Sequence, residues 1–394
     1  MQLSDFEFNG KKLQEAREVR SITMTTLSET TGISRQSISQ YEKGTQIPRF
    51  DVIEKFSNIL NVPIEFFFKD SGDISLNTVY FRSLTSATNL ERNRLKNRLT
   101  WVKEVIFLLK DYFEFISPNF PDFEINSNNF FNLNDSDIEH IAEETRKYWG
   151  IKTDPISNMV QLLENNGAII VRGESESHSI DAFSEWSRVK HESPIIFLGN
   201  DKGSAVRSRF DVAHELGHLI LHNNIDQNLF VPKNLSIFEK QANLFASSFL
   251  LPAESFSKTF YYPTLDSLLI LKKKWNVSIG AIIKRSEQLN LIGEKTKTRL
   301  WMAYSRKGWR RVGEPLDDDI LFEQPNFLKR CFQILVNKNI LTKSEILTLL
   351  KLPVNDLEAI CNLDYGFFEV DTDVKPKEPE LKIFPINKNY NKEN

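Results

Sequence analysis

Hydrophobic and polar positions recur along most of the chain with the spacing of amphipathic helices. Within residues 9–68 these helical periods are short and are interrupted by Gly and Pro, which predicts a domain of several small helices. Residues 88–116 predict one or two longer amphipathic helices, and residues 136–165 predict another helical stretch. Residues 264–364 are mostly helical in pattern, so the chain as a whole is predicted to be mainly α.

Three short runs break this helical pattern and are rich in β-forming residues. They are AIIV (168–171), DAFSEWS (181–187) and PIIFLGN (194–200), and two helices are predicted after them, around 206–222 and 236–250. We therefore expect an α+β fold, mainly α with a small β-sheet. We expect the last of the three strands to form a sheet edge with which an extended peptide can pair.

Chain length and turn-rich stretches divide the sequence into several units. At 394 residues the chain exceeds one ordinary core, and the polar stretch 69–79 and the Pro- and Asn-bearing stretch 117–135 mark boundaries. The predicted units are an N-terminal five-helix domain (1–68), a linker with amphipathic helices (69–135), a central domain (136–262), a helical, basic C-terminal subdomain (263–369) and a flexible tail (370–394).

Composition and charge limit the classes of protein that fit. The net charge of −3 provides no overall attraction to nucleic acid, so any basic binding surface must be local. Cys331 and Cys361 lack CxxC spacing, which fits a reducing cytosol better than a disulfide scaffold. The N-terminus has no signal-peptide pattern, and no apolar run approaches the ~20 residues of a membrane span. We expect a cytoplasmic protein without a membrane partner.

The segment TTLSETTGISRQSISQYEKG (25–44) has the pattern of a helix-turn-helix. A first helix runs from Thr25 to Thr31, the chain turns at the following glycine, and Ser34 caps a second helix that ends near Lys43. Such a motif predicts a DNA-binding domain.

The second helix of this motif carries the residues expected to contact DNA. Its apolar side chains pack inward, and its outward-facing residues are Arg35, Gln36, Ser39 and Gln40. Arg can read guanine and Gln adenine in the major groove, while Ser34 and Lys43 suit phosphate oxygens. Residues 1–68 hold eight Lys and Arg against nine Asp and Glu, so a helical domain used only for protein contacts is the alternative.

Three of the six histidines lie four residues apart in RFDVAHELGHLILH (209–222), and Glu215 follows the first of them. On a helix His214 and His218 lie one turn apart on the same face, where two imidazoles can bind one zinc ion. Glu215 is turned away by ~100° and can flank the ion as a general base. This HExxH arrangement predicts zinc-dependent peptide hydrolysis, against the alternative of a helix that holds two histidines by chance.

The third protein ligand must come from another element. His222 lies about 12 Å along the helix from His214, so one ion cannot bridge them, and we expect His222 to cap the helix end. Glu239 begins the apolar face of FEKQANLFASSFLLP (238–252) and is the preferred candidate, because a helix gives it a rigid mount. Asp226, in the intervening loop, is its rival. Three protein ligands leave one zinc position open, as catalysis requires.

A basic stretch between Lys272 and Arg311 holds twelve Lys and Arg but only two Glu. Part of it, LKKKWNVSIGAIIKRSEQLNLI (271–292), itself resembles a helix-turn-helix. The stretch predicts either the solvated basic face of a helical subdomain or a second surface for nucleic acid or an acidic partner.

The N-terminal motif resembles the phage-repressor (XRE) type of helix-turn-helix domain over residues 9–68. The base-reading positions of that family fall on Arg35, Gln36 and Gln40 in this sequence. Double-stranded operator DNA is the partner that this resemblance implies.

The central part resembles the ImmA/IrrE family of zinc metallopeptidases over residues 138–315. HELGH is followed in order by EKQANLFASSFLLP, and both stretches carry the likeness. The resemblance implies a zincin-like fold, one zinc ion per chain held by His214, His218 and Glu239, and Glu215 as the catalytic acid and base. It also implies cleavage of a repressor or antitoxin encoded nearby, in stress responses, mobile-element control, toxin–antitoxin units or phage defence.

Three functional hypotheses follow from these motifs. The leading one is a DNA-binding transcriptional regulator, expected as a homodimer, whose zinc metalloendopeptidase domain cleaves a protein partner. The second is a repressor or antitoxin whose zinc domain senses or binds without proteolysis. The third is a general peptidase whose N-terminal domain only mediates dimerisation.

Overall fold

The computed structural model describes residues 7–69, 79–80, 88–173, 182–186, 192–199 and 203–369. The predicted flexible tail, 370–394, lies outside the described residues. The described part is mainly helical with one small mixed sheet, which confirms the expected α+β class. Among these residues, no helix has both the length and the apolar content needed to cross a membrane.

The N-terminal domain consists of four α-helices and a closing 3-10 helix. They are α1 (Gly10–Val19), α2 (Met24–Thr31), α3 (Arg35–Glu42), α4 (Phe50–Leu60) and the 3-10 helix Ile64–Phe68. Helix α2 ends at Gly32, which takes the left-handed conformation at φ 74°, and the Ser34 side chain caps α3. The predicted turn and helix starts are therefore confirmed.

Helix α5 (Asn89–Lys110) packs against this domain and extends its core. The Trp101 indole donates to Glu15 at 2.7 Å, and Lys12 pairs with Glu104 at 3.0 Å. These contacts join α1 to α5, so the part of the predicted linker that forms α5 is not a free connection.

One four-stranded sheet crosses the molecule in the order β1-β3-β4-β2. The strands are β1 (Val79–Tyr80), β2 (Ile169–Gly173), β3 (Ala182–Glu185) and β4 (Ile195–Gly199). Strands β2 and β4 are parallel, whereas β3 is antiparallel to both β4 and β1. The three strands predicted from sequence are present. The expectation that the last of them forms a sheet edge is wrong, because β4 is hydrogen-bonded on both sides and its apolar run is buried, as in a central strand.

The remaining helices divide between two hydrophobic cores. The second core is surrounded by α6 (Asp135–Tyr148), α7 (Met159–Asn165), α8 (Ala205–Leu221), α9 (Pro232–Leu250), α10 (Ala253–Ser257), α11 (Leu265–Trp275), α12 (Ile279–Gln288), α13 (Glu294–Arg306) and α14 (Trp309–Val312). Helices α15 (Phe327–Asn337), α16 (Lys343–Leu350) and α17 (Val354–Ile360) return to the first core, where Asp356 pairs with Arg20 at 2.6 Å. The packing therefore splits the subdomain predicted at 263–369.

The sheet lies between these two cores and is buried on both faces. Ile169 and Phe197 face the N-terminal core, while the neighbouring Ile170 and Ile196 face the core of α8 and α9. This alternation follows from the two-residue period of a strand. On the side of the second core, β3 lies directly beside α8.

The stretch predicted as a second linker, 117–135, is also packed. Ile125 and Phe130 are buried in the second core, and the Phe130 ring stacks on Phe238 of α9 at 4.8 Å. Burial of these aromatic rings thus holds the Pro- and Asn-bearing stretch against α9.

Candidate metal centre and nucleic-acid interface

Helices α8 and α9 approach each other closely at Gly217. A Cβ at this position would lie 3.1 Å from the Ala242 carbonyl oxygen and 3.2 Å from the Ala242 Cα, so a larger side chain would force the two backbones apart. The close contact carries Glu239, which begins the apolar face of α9, to the histidine face of α8.

Three of the predicted ligands converge between these helices. The Nε2 atoms of His214 and His218 lie 3.0 Å apart, and Glu239 carboxylate oxygens lie 3.3 Å from His214 Nε2 and 3.7 Å from His218 Nε2. Donors on a tetrahedral zinc ion with bonds of about 2.0–2.1 Å are separated by roughly 3.3 Å. Two nitrogens and one carboxylate at these separations fit zinc. Asp226, the rival ligand, instead accepts a hydrogen bond from Ser127 at 2.9 Å.

The electrostatics of the centre favour a cation. Burial alone would lower the pKa of His214, but its hydrogen bond to Glu239 and the negative charges of Glu215, Glu239 and Asp211 outweigh burial and raise this pKa. Three carboxylates therefore act on one half-buried imidazole, and a metal ion would meet the same field.

His222 has a different role from the one expected. It is the C-cap residue of α8 by position, but its ring contacts side chains rather than the free carbonyls of the helix end. The His222 ring is fully buried, with Nδ1 2.9 Å from His218 Nδ1 and Nε2 2.9 Å from Gln241 Oε1. His222 is therefore not part of the candidate metal-binding group and lies behind His218, one of its members.

This chain of hydrogen bonds determines which ring nitrogen of His218 carries the proton. Gln241 Nε2 donates to the Phe130 carbonyl at 2.9 Å, which leaves Gln241 Oε1 to accept from His222 Nε2. His222 Nδ1 is then the acceptor, and His218 Nδ1 donates to it. The lone pair of His218 is consequently on Nε2, the atom beside Glu239.

Glu215 directly follows the candidate ligand His214 in α8 and is buried. Ser184 of β3 donates a hydrogen bond from its Oγ to Glu215 Oε2 at 2.6 Å, and the Ser184 side chain is fully buried. Sequence reasoning did not single out Ser184. The sequence feature that could have indicated it is a polar residue in a buried strand, on the same face as Ala182.

A cleft of about 890 Å³ is lined in part by residues of α8 and α9, although the three candidate ligands and Glu215 are not in its lining. Asp211 of α8 and Asn243 of α9 lie on its wall, one helical turn from His214 and Glu239 respectively. Its lining also includes Trp301, Trp309, Arg310 and Arg311. The cleft therefore comes within about one helical turn of the candidate ligands along α8 and α9.

Helix α3 presents the predicted DNA-contacting residues on its outer side. Arg35, Gln36 and Lys43 are exposed, and Ser39 and Gln40 are half-buried. A buried ion pair at 2.6 Å between Arg17 of α1 and Glu42 holds the helix in place.

Ser34 is exposed at the start of α3, where it was expected to meet phosphate. Its Oγ accepts from the Ser37 backbone N–H at 3.1 Å, which is the hydrogen bond of an N-cap. Leu27 and Ile38 are fully buried and Ile33 is packed against the same core, so the inward positions agree with the sequence pattern.

The basic stretch 272–311 is partly internal. Lys272 is fully buried and pairs with Glu314 at 2.9 Å, and the buried Arg285 forms an ion pair with Glu139. Two of its charges are therefore neutralised inside the second core, while Lys284, Arg310 and Arg311 are exposed.

Comparison with known families agrees with both parts of the structure. Residues 13–67 match the helix-turn-helix family, and residues 164–287 match the IrrE N-terminal-like domain of the M78 peptidase family. The chain joins a helix-turn-helix domain to an IrrE/ImmA-like domain. The helix-turn-helix domain implies DNA binding, and the IrrE/ImmA-like match spans α8, α9 and all three ligand positions.

Two curated relatives are similar to part of this chain. They are uncharacterised HTH-type transcriptional regulators from Sinorhizobium medicae and Rhizobium meliloti, each 38% identical over 65 residues. The match covers 16% of this chain and 47% of each relative, so it spans about half the length of the relatives.

Proposed function

We propose that this chain is a DNA-binding transcriptional regulator and also a zinc-dependent endopeptidase that cleaves a protein partner such as a repressor or antitoxin. The observation that carries the proposal is the convergence of His214, His218 and Glu239 beside the buried Glu215. A site that only bound metal would need the three ligands but not a buried carboxylate held by its own hydrogen-bond donor. This difference favours proteolysis over sensing by metal alone.

Each protein group has a defined task in the proposed reaction. His214, His218 and Glu239 would hold the zinc ion, which when bound acts as a Lewis acid that polarises the scissile carbonyl and promotes deprotonation of water. Glu215 takes a proton from the attacking water and delivers it to the leaving amine. Ser184 keeps the Glu215 carboxylate oriented, because its hydroxyl donates to one carboxylate oxygen.

The substrate is proposed to bind as an extended peptide. Strand β3 carries Ser184, so a peptide that adds a strand to β3 would pass close to Glu215. Side chains of the substrate would reach the cleft along Asp211 and Asn243. Peptide hydrolysis needs such an extended site, whereas hydrolysis of a small molecule does not.

The DNA-binding domain is proposed to bring the peptidase to a partner at an operator. Arg35 and Gln36 would read bases and Lys43 would contact phosphate, with operators built as inverted repeats if the regulator is a homodimer. Binding at the operator raises the effective concentration of a DNA-bound partner without altering the chemistry. Toxin–antitoxin control, phage defence and stress response are settings that suit this arrangement.

A cleavage time course with and without operator DNA tests the proposal. The zinc-loaded parent, Arg35→Ala and Glu215→Gln are each incubated with a candidate repressor or antitoxin. We expect Arg35→Ala to cleave free partner at the parent rate and to lose only the acceleration by operator. We expect Glu215→Gln to bind operator normally and to cleave nothing. Loss of DNA-free cleavage in Arg35→Ala, or loss of DNA binding in Glu215→Gln, would contradict the proposal of separable modules.

A further inference from the structure

Strand β3 is the sheet strand in direct contact with the proposed general base. Its Ser184 donates to Glu215 at 2.6 Å, and its inner edge is paired antiparallel with β4. Only the outer edge of β3 can therefore accept an additional strand beside Glu215.

That outer edge is already paired with another part of the same chain. Strand β1 is antiparallel to β3, with Val79 opposite Glu185 and Tyr80 opposite Ser184. The backbone of residue 80 thus lies across from the residue that holds Glu215. An extended substrate that binds in the proposed way would need the same backbone positions on β3.

Strand β1 comes from the segment that connects the two functional parts of the chain. It lies between the 3-10 helix Ile64–Phe68, which closes the helix-turn-helix domain, and α5. Among the described residues, two residue pairs join it to β3 and four join β3 to β4. A peptide strand that paired along the whole of β3, Ala182–Glu185, would compete with β1 for this edge.

We propose that Val79–Tyr80 occupies, within the same molecule, the edge of β3 on which a peptide substrate would bind, so that a substrate must displace it. The inference rests on the proposed function in one respect, namely that the substrate binds as a strand on β3. The edge of β3 binds an extended peptide backbone. Val79–Tyr80 already occupies this edge and therefore competes with the substrate.

Two hydroxamate ligands distinguish binding at the edge of β3 from binding at the metal ion. Acetohydroxamate needs only the zinc ion, whereas a peptidyl hydroxamate needs the ion and the edge of β3. Binding of both to the zinc-loaded full chain is measured by calorimetry for the parent and for the double variant Val79→Pro/Tyr80→Pro. Proline has no backbone N–H, so the double variant removes every donor that β1 offers to β3.

The matched control is Val79→Thr/Tyr80→Phe, which keeps both backbone N–H groups. We expect the proline variant to bind the peptidyl hydroxamate about tenfold more tightly than the parent and the control, with acetohydroxamate affinity unchanged. Equal zinc content and equal acetohydroxamate binding establish that the variant is folded. We also expect a synthetic peptide of residues 76–84 to compete with the peptidyl hydroxamate in the proline variant.

Other outcomes overturn the inference in distinguishable ways. Equal affinity of parent and proline variant for the peptidyl hydroxamate, with zinc retained, would show that β1 does not block the edge, and the proposed peptidase function would stand. Failure of the synthetic peptide to compete would have the same meaning. Failure of every form to bind zinc or acetohydroxamate would reject the metal centre itself, and with it both proposals.

Discussion

His222 Nδ1 lies 2.9 Å from His218 Nδ1, so a residue outside the HExxH motif sets the proton position of a proposed metal ligand. Gln241 completes the arrangement, because its amide is oriented by the Phe130 carbonyl. Residues behind a metal ligand commonly change metal affinity when they are replaced.

The first prediction concerns this hydrogen-bond chain. We expect His222→Ala and Gln241→Leu each to weaken zinc binding about 10–100-fold, because His218 loses the partner that keeps its lone pair on Nε2. Competition with a chelator of known affinity measures the effect. His140→Ala is the matched control, since it removes an exposed histidine and should leave zinc affinity unchanged. Parent-like zinc affinity in both variants would mean that the chain of hydrogen bonds does not support the metal centre.

The second prediction concerns the contact between α8 and α9. Gly217→Ala places a Cβ against the Ala242 backbone, so we expect the helices to separate, with lower zinc affinity and a Tm lower by several degrees. Gly280→Ala is the control, because a Cβ there comes no closer than 3.6 Å to the Trp301 ring. Thermal unfolding and zinc titration of both variants check this, and an unchanged zinc affinity in Gly217→Ala would refute it.

The third prediction concerns the identity of the ligands. We expect about one zinc per chain in the parent, and loss of most of it in His214→Ala, His218→Ala and Glu239→Ala. Asp226→Ala should retain zinc, because Asp226 bonds to Ser127 instead of joining the cluster. Elemental analysis after dialysis measures the zinc content. Zinc retained by Glu239→Ala but lost from Asp226→Ala would reverse the assignment.

The fourth prediction concerns recognition by α3. We expect Arg35→Ala or Gln36→Ala to cost ~1–3 kcal/mol at a specific operator and to relax base preference. Lys43→Ala should weaken binding to all duplexes and reduce the salt dependence, as expected for loss of a phosphate contact. Gel-shift titrations over a range of salt concentrations provide the measurement. Identical affinities of parent and Arg35→Ala for every duplex would reject α3 as the recognition helix.

The sequence was sufficient for features that depend on neighbouring residues. The spacing of His214 and His218 follows from one helical turn, the turn at Gly32 follows from a left-handed residue, and strands β2, β3 and β4 follow from short β-forming runs. Such features need only the local backbone, and the structure confirms them.

The remainder depends on contacts between distant parts of the chain. Ser184 meets Glu215, and Gln241 meets His222, only because separate elements pack together. The pairing of Tyr80 with Ser184 is likewise non-local, and it comes from a polar stretch whose composition indicates a boundary. No periodicity in these segments indicates which partner each residue has.

The rate of partner cleavage by the zinc-loaded parent and Glu215→Gln, with zinc content measured in the same samples, tests the central claim most directly. Intact-mass analysis over time would follow the candidate repressor or antitoxin. The account predicts equal zinc in both proteins, discrete cleavage products with the parent, and a rate at least about 100-fold lower with Glu215→Gln. Equal cleavage by both proteins, or an intact partner in the presence of the fully zinc-loaded parent, would contradict it.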